Sequence, residues 1–175
     1  MTIVFQKVDS TLQILAVENL AQEIWTQHYT PFLAAGQVPY MLEKFQSAGA
    51  ITKQISEGHQ YFLISPDSFQ NSVRSPESEN PFGYFDFYQK EDLVFISKIY
   101  VKQQFRGRGF GAAALAFISE RAKEIDVKKL QLTVNKYNQG AIKAYEKTGF
   151  INVKSIVMDI GNGFFMDDYV FEKAL

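Results

Sequence analysis

The amino-acid sequence predicts an α+β fold in one domain, residues 1–175, with helix and strand patterns mixed along the chain. Three observations lead there. Hydrophobic residues make up 46% and charged residues 21% of the 175, enough for one substantial core and short for two domains. Short runs rich in β-branched and aromatic residues alternate with stretches whose apolar residues recur at helical spacing. The chain ends on two strand-like runs, INVKSIVMDI and FFMDDYVFEKAL, split by Gly161-Asn162-Gly163, a composition suited to a tight hairpin.

The elements follow in order. TIVFQKV reads as a first strand. Asp9 or Ser10 then caps a helix running to about Gln27, with Leu12, Ile14, Leu15, Val17, Leu20, Ala21, Ile24 and Trp25 as its apolar residues. After Pro31 and Gly36, VPYMLEKFQSAGAITKQISEG gives one further helical region anchored by Tyr40, Leu42, Phe45 and Ile51. HQYFLIS, 59–65, is a strand. PDSFQNSVRSPESENP is a long polar loop, and FGYFDFYQ, 82–89, is the next strand. Glu91 and Asp92 turn the chain into the strand LVFISKIYV. A helix follows with Phe110, Ala114, Phe117, Ile118 and Ile125 on one face. Lys128 to Val134 is a strand, and Asn138 to Thr148 a helix stopped by Gly149. The predicted order is β-α-α-β-β-β-α-β-α-β-β, without internal repeats.

Composition excludes several classes. The net charge of −1 provides no global field for nucleic acid or an anionic membrane. The absence of cysteine removes disulfides, thiolate metal sites and a cysteine acyl intermediate. The first residues, MTIVFQKVDS, carry no basic segment followed by an apolar one, and no apolar run approaches the roughly 18 residues of a membrane helix. The expectation is a soluble, cytoplasmic domain without a metal site.

QFRGRGFG, residues 104–111, lies between a strand and a helix. A helix start leaves amide groups unpaired and carries positive partial charge, and glycine lets an anion approach the backbone closely. Gly107, Gly109 and Gly111 would let the amides from about Phe105, through Phe110, to Ala112 converge on a pyrophosphate, with Arg106 and Arg108 adding charge. A plain turn would need one glycine, not three at alternating positions. Gly107-x-Gly109-x-x-Ala112 also satisfies the relaxed dinucleotide fingerprint, but the next strand, LQLTVNKYN, lacks the acidic residue that would hold a ribose. No Gly-x-x-x-x-Gly-Lys-Ser/Thr run exists.

A second motif follows in NKYNQGAIKAYEKTGF, residues 135–150. Together the two stretches resemble the GNAT superfamily of N-acetyltransferases. Gln104, Gly107 and Gly109 match that family's acyl-CoA signature, and Asn138, Ala141, Tyr145, Gly149 and Phe150 match its later one. SKIYV, MDIGNGFFMDDYVFEKAL, IWTQHYTPFL and PYMLEKFQS are similar to the PaiA-type polyamine and diamine acetyltransferases. The resemblance implies a mostly antiparallel twisted sheet flanked by helices, with LVFISKIYV and KLQLTV as splayed parallel strands. It implies acetyl-CoA as co-substrate, bound by the glycine turn, by the backbone of Ile99 and Val101, and by Asn135, Asn138 and Tyr145. It implies a small primary amine, a polyamine or diamine, as acceptor. A homodimer is compatible with the family's habits, although nothing in the chain specifies an interface.

Direct acetyl transfer needs an oxyanion donor, a proton acceptor for the ammonium and a proton source for the leaving sulfur. The resemblance makes Tyr145 the general acid; spacing alone reads it as a packing aromatic. The base is open: Ser97 and Lys98 lie on the strand before the glycines, Glu91 and Asp92 at its far end, and His28 and Tyr29 upstream. Acidic residues that could receive a polyamine are Glu43, Glu57, Asp86, Asp167 and Asp168, most of which read as solvated surface charges. A peptide amino group, or acyl-CoA binding without turnover, are the alternatives.

Overall fold

The computed structural model describes residues 1–31, 33–67 and 80–175, so most of the polar segment 66–81 lies outside the described residues. Seven strands take the order β1-β2-β3-β4-β5-β7-β6. The chain clusters into two compact units interleaved in sequence, residues 1–86 with 98–111 and residues 87–97 with 112–175, so that β3 and β4 contribute to both.

In the first unit, β1 (Ile3–Lys7) pairs antiparallel with β2 (Gln60–Pro66), from Ile3 opposite Pro66 to Lys7 opposite Phe62. Between them run α1 (Thr11–Tyr29), α2 (Gln37–Gln46) and α3 (Ala48–Ser56). Ser10 is the cap of α1: its hydroxyl accepts from the Gln13 amide while Gln13 Oε1 accepts from the Ser10 amide. Val17, Leu20, Ala21, Ile24 and Trp25 are buried, whereas Leu12 and Leu15, counted among the apolar residues of the sequence pattern, face solvent.

The single second helical region is two helices. Ser47, with extended backbone, ends α2 and caps α3 by accepting from Ala50 N at 3.3 Å. Glu18 of α1 accepts from Ala48 N at 2.8 Å and fixes that junction.

β3 (Gly83–Lys90) and β4 (Leu93–Val101) follow, joined by exposed Glu91 and Asp92. Gly83 has no room for a side chain. A Cβ there would lie 2.6 Å from the Tyr100 carbonyl oxygen and 3.3 Å from Val101 Cα, both backbone atoms that cannot rotate away. Gly83→Ala should therefore cost about 1–3 kcal/mol, read as a drop in thermal midpoint of roughly 2–4 °C per kcal/mol for a chain this size.

In the second unit, β5 (Lys129–Asn135) runs parallel to β4 over only three pairs, Val94–Leu130, Phe95–Gln131 and Ile96–Leu132. Its other edge pairs antiparallel with β7 (Phe164–Ala174) along its whole length, from Lys129 opposite Ala174 to Asn135 opposite Asp168. β6 (Ile151–Gly161) completes the hairpin with β7. Its turn places Asn162 and Gly163 at φ 55° and 77°, the left-handed pair that a two-residue hairpin loop requires.

α4 (Phe110–Glu124) buries Ala114, Leu115, Ile118 and Ala122, while Ile125, expected on the same face, lies beyond its end and is exposed. α5 (Gln139–Lys147) ends where Gly149 turns to φ 90° and Phe150 N donates to Tyr145 O at 3.1 Å. Among the described residues no helix is long and apolar enough to cross a membrane.

Candidate functional site

The glycine turn belongs to the first unit. After Val101 the chain makes one short 3₁₀ turn, Gln103–Phe105, and α4 begins at Phe110. Gly107 and Gly109 sit at φ 76° and 85°, and a Cβ on either would have nothing within 4 Å. Glycine is thus required by backbone conformation and not by crowding, and the space beside both residues is open. Gly111 differs: its φ is not left-handed, and an added Cβ would come no closer than 4.0 Å to Ile99 Cγ2. Two of the three glycines carry the turn.

Aromatic rings hold it in place. Phe105 stacks on Phe82 at 4.4 Å between centroids, and buried Phe110 lies against the same ring at 5.0 Å. The arginines serve the turn itself. Arg106 Nε donates to the Val101 carbonyl at 2.9 Å, and its Nη1 lies 3.2 Å from His28 Nδ1. Arg108 Nη2 donates to the Gln104 carbonyl at 3.2 Å, with its guanidinium over the Phe105 ring. Partial burial pulls the Arg106 pKa below its usual value, against the pull of Tyr29. Gln104, Arg106, Gly107, Arg108, Gly109 and Ala112 are exposed; Ile99, Val101 and Gly111 are half-buried. His28 and Tyr29, weighed as candidates for the base, stand at the end of α1, with His28 on Arg106 and Tyr29 against Tyr100 and Trp25.

Asp86 and Lys98 are not solvated. Both are buried, with Lys98 Nζ 2.9 Å from Asp86 Oδ2. His59 Nδ1 lies 2.8 Å from the same oxygen. Lys98 also donates to Gln54 Oε1 at 2.9 Å, which accepts from the Tyr61 hydroxyl as well, and its ammonium lies over the Tyr61 ring. Burial lowers the Lys98 pKa while Asp86 opposes the shift, and burial pushes Tyr61 and Tyr84 well above the usual tyrosine value. The sequence signal was present in part: one acid inside the apolar run of β3 and one lysine inside that of β4. Gln54, His59 and Tyr61 carried none.

In the second unit the end of β5 leads directly into the later motif. Asn135 Oδ1 accepts from Tyr137 N at 3.0 Å, and Asn138 N donates to Asn135 O at 2.9 Å. Asn138 caps α5, its Oδ1 accepting from Ala141 N at 3.2 Å. Tyr145, half-buried two turns on, packs against Phe150 and Phe171 with centroids at 5.8 and 6.4 Å. Asp167 pairs with Lys136. Asp168 is 1% exposed; burial, with Asp167 adding, pushes its carboxyl up to about 6, while a hydrogen bond from Thr133 and the charge of Lys136 oppose the rise.

The sequence profile of the Acetyltransferase (GNAT) family matches residues 21–150. Over 62 residues the chain is 37% identical to the uncharacterized N-acetyltransferase YycN of Bacillus subtilis (strain 168), a stretch covering 35% of this chain and 38% of that protein. It is 28% identical over 94 residues to the L-2,4-diaminobutyric acid acetyltransferase of Vibrio parahaemolyticus, 52% of each chain. The matched stretches thus span from 38% to 52% of the length of these curated relatives. The PaiA N-acetyltransferase of Thermoplasma acidophilum, solved in complex with coenzyme A, has the same fold, with a TM-score of 0.77 at 16% identity over 100% of both chains. The profile covers well over half of the sequence, and the chain belongs to the acetyltransferase (GNAT) family. Family and fold class are those expected from the two motifs.

Proposed function

We propose that this protein is an acetyl-CoA-dependent N-acetyltransferase that acetylates a primary amine of a diamine or polyamine by direct attack within a ternary complex. The observation that carries the reading is the glycine turn: two left-handed glycines with open space beside them, immediately before a helix start. The Phe105 and Arg106 amides donate to Lys102 O and Gln103 O, so the amides that suit a pyrophosphate begin at Gly107, where the anion would meet partial positive charge without a Cβ in its way. The turn from Gln104 to Ala112, the backbone of Ile99 and Val101, and Asn135, Asn138 and Tyr145 would hold the co-substrate. The diamine class is supported by the L-2,4-diaminobutyric acid acetyltransferase among the relatives.

Bound acetyl-CoA supplies an activated acyl thioester. The chain's part is to hold the anion, order the acyl arm and keep a proton at Tyr145 Oη for the departing sulfur. With no cysteine in the sequence, an acyl-cysteine route is closed.

Tyr145→Phe removes the hydroxyl and leaves the ring that packs on Phe150 and Phe171. Turnover should fall by roughly 10²-fold, the usual contribution of a positioned acid, with coenzyme A affinity within about twofold of wild type, since little is lost but one hydroxyl. Wild-type turnover in a chemistry-limited assay removes Tyr145 from the role. The reading as a whole is tested by offering acetyl-CoA with diamines, polyamines, monoamines and peptides and following thiol release. Activity on peptides alone moves the acceptor class, and no thiol release with any amine overturns the enzyme.

A further inference from the structure

Asp168 stands where β5 ends. It lies directly across the antiparallel ladder from Asn135, so the two side chains leave the same face of the sheet, with Thr133 two residues back on that face. On its other side, the residue opposite in β6 is Ile156, which brings no charge. Asp168 is 1% exposed, and its Oδ1 has no hydrogen-bond partner. Lys136, the cation next to this strand end, pairs instead with Asp167, whose side chain alternates to the opposite face. A buried carboxylate oxygen left without a donor is costly, and such groups concentrate where a ligand supplies what the protein omits. Here it lies beside the turn that leads from Asn135 through Asn138 into the helix of Tyr145.

We propose that Asp168 binds the distal, non-reacting ammonium group of the acceptor and so selects diamines and polyamines over monoamines. This rests on the reading given under Proposed function. The carboxylate must be ionised to do this. Its raised pKa of about 6 reflects burial and Asp167 against the Thr133 hydrogen bond and the Lys136 charge. An ammonium beside it favours the ionised form. Recognition should therefore weaken as the pH falls through about 6.

The test compares 1,4-diaminobutane with 1-aminobutane as acceptors for the full-length wild type and the Asp168→Asn variant. The substitution keeps shape and removes charge. The ratio of kcat/KM for diamine over monoamine should drop roughly 10- to 100-fold, chiefly through KM, as for a lost charge-assisted hydrogen bond. The acidic limb near pH 6 in the wild-type diamine profile should be absent from the variant. A melting curve establishes that the variant folds. An unchanged ratio, or equal losses on both amines with the limb retained, overturns the assignment. Wild type that acetylates no diamine but acetylates another cationic amine fails the diamine reading alone, provided Asp168→Asn still weakens that amine relative to an uncharged aromatic amine; without that discrimination both fail.

Discussion

Gly109→Asp should abolish coenzyme A binding, raising Kd by at least about 100-fold in a calorimetric titration. The residue sits at φ 85° with nothing within 4 Å of its Cβ position, so an added Cβ meets no steric obstacle. Aspartate also tolerates a left-handed backbone better than most residues, which limits the conformational cost to roughly 1–2 kcal/mol and the loss in thermal midpoint to a few degrees. What changes is charge. A carboxylate enters the open space before the first turn of α4, where the helix presents its positive end, and competes with the pyrophosphate for the same amides. Gly109→Ala carries the strain without the charge and should retain much more of the affinity. Gly111→Ala, whose Cβ would meet only Ile99 Cγ2 at 4.0 Å, should bind coenzyme A nearly as wild type. Equal affinity for wild type and Gly109→Asp removes the glycine turn as the anion cradle.

That turn was legible in the sequence because it depends on local backbone conformation. Glycine at alternating positions before an apolar helix announces left-handed residues, and Ser10, Asn138 and Gly149 announced helix ends for the same reason. The pairing of the last two strands was legible through the turn at Gly161-Asn162-Gly163. The break at Ser47 was not, because a serine inside an apolar periodic stretch reads equally well as an outward-facing residue until a partner such as Glu18 is known to meet the next amide. Arg106 and Arg108 read as charge beside an anion, and in the structure each also donates to a carbonyl of the turn, Val101 O and Gln104 O. Charge near a candidate site is visible in sequence, but which oxygen it satisfies is a tertiary property. The same holds for Asp86. Its position inside an apolar strand hinted at burial, yet its partners lie 12 and 27 residues away in sequence and no short motif joins them.

Asp86→Ala should produce the largest loss of stability, about 3–5 kcal/mol by equilibrium denaturation in urea, the range for removing one partner of a buried ion pair. The damage falls on Lys98. Its side chain is 7% exposed, and its ammonium would keep Gln54 Oε1 and the face of Tyr61 but lose the carboxylate 2.9 Å away. Burial already lowers the Lys98 pKa and Asp86 opposes it, so removing Asp86 lowers it further. The sign of the pH dependence follows. A lysine depressed in the folded state is protonated more in the unfolded chain, so stability rises with pH between its folded value and the ordinary value of 10.5. The deficit of Asp86→Ala should therefore shrink as pH is raised towards 10.5, with a weaker slope in wild type, where Asp86 opposes the depression. Lys98→Met in the same background replaces the stranded cation with an apolar chain of similar length and should recover much of the loss. A double-mutant cycle over Asp86 and Lys98 that shows strict additivity would mean that the 2.9 Å pair contributes nothing to the fold, and that the cost of Asp86→Ala arises instead at His59, which shares the same carboxylate oxygen.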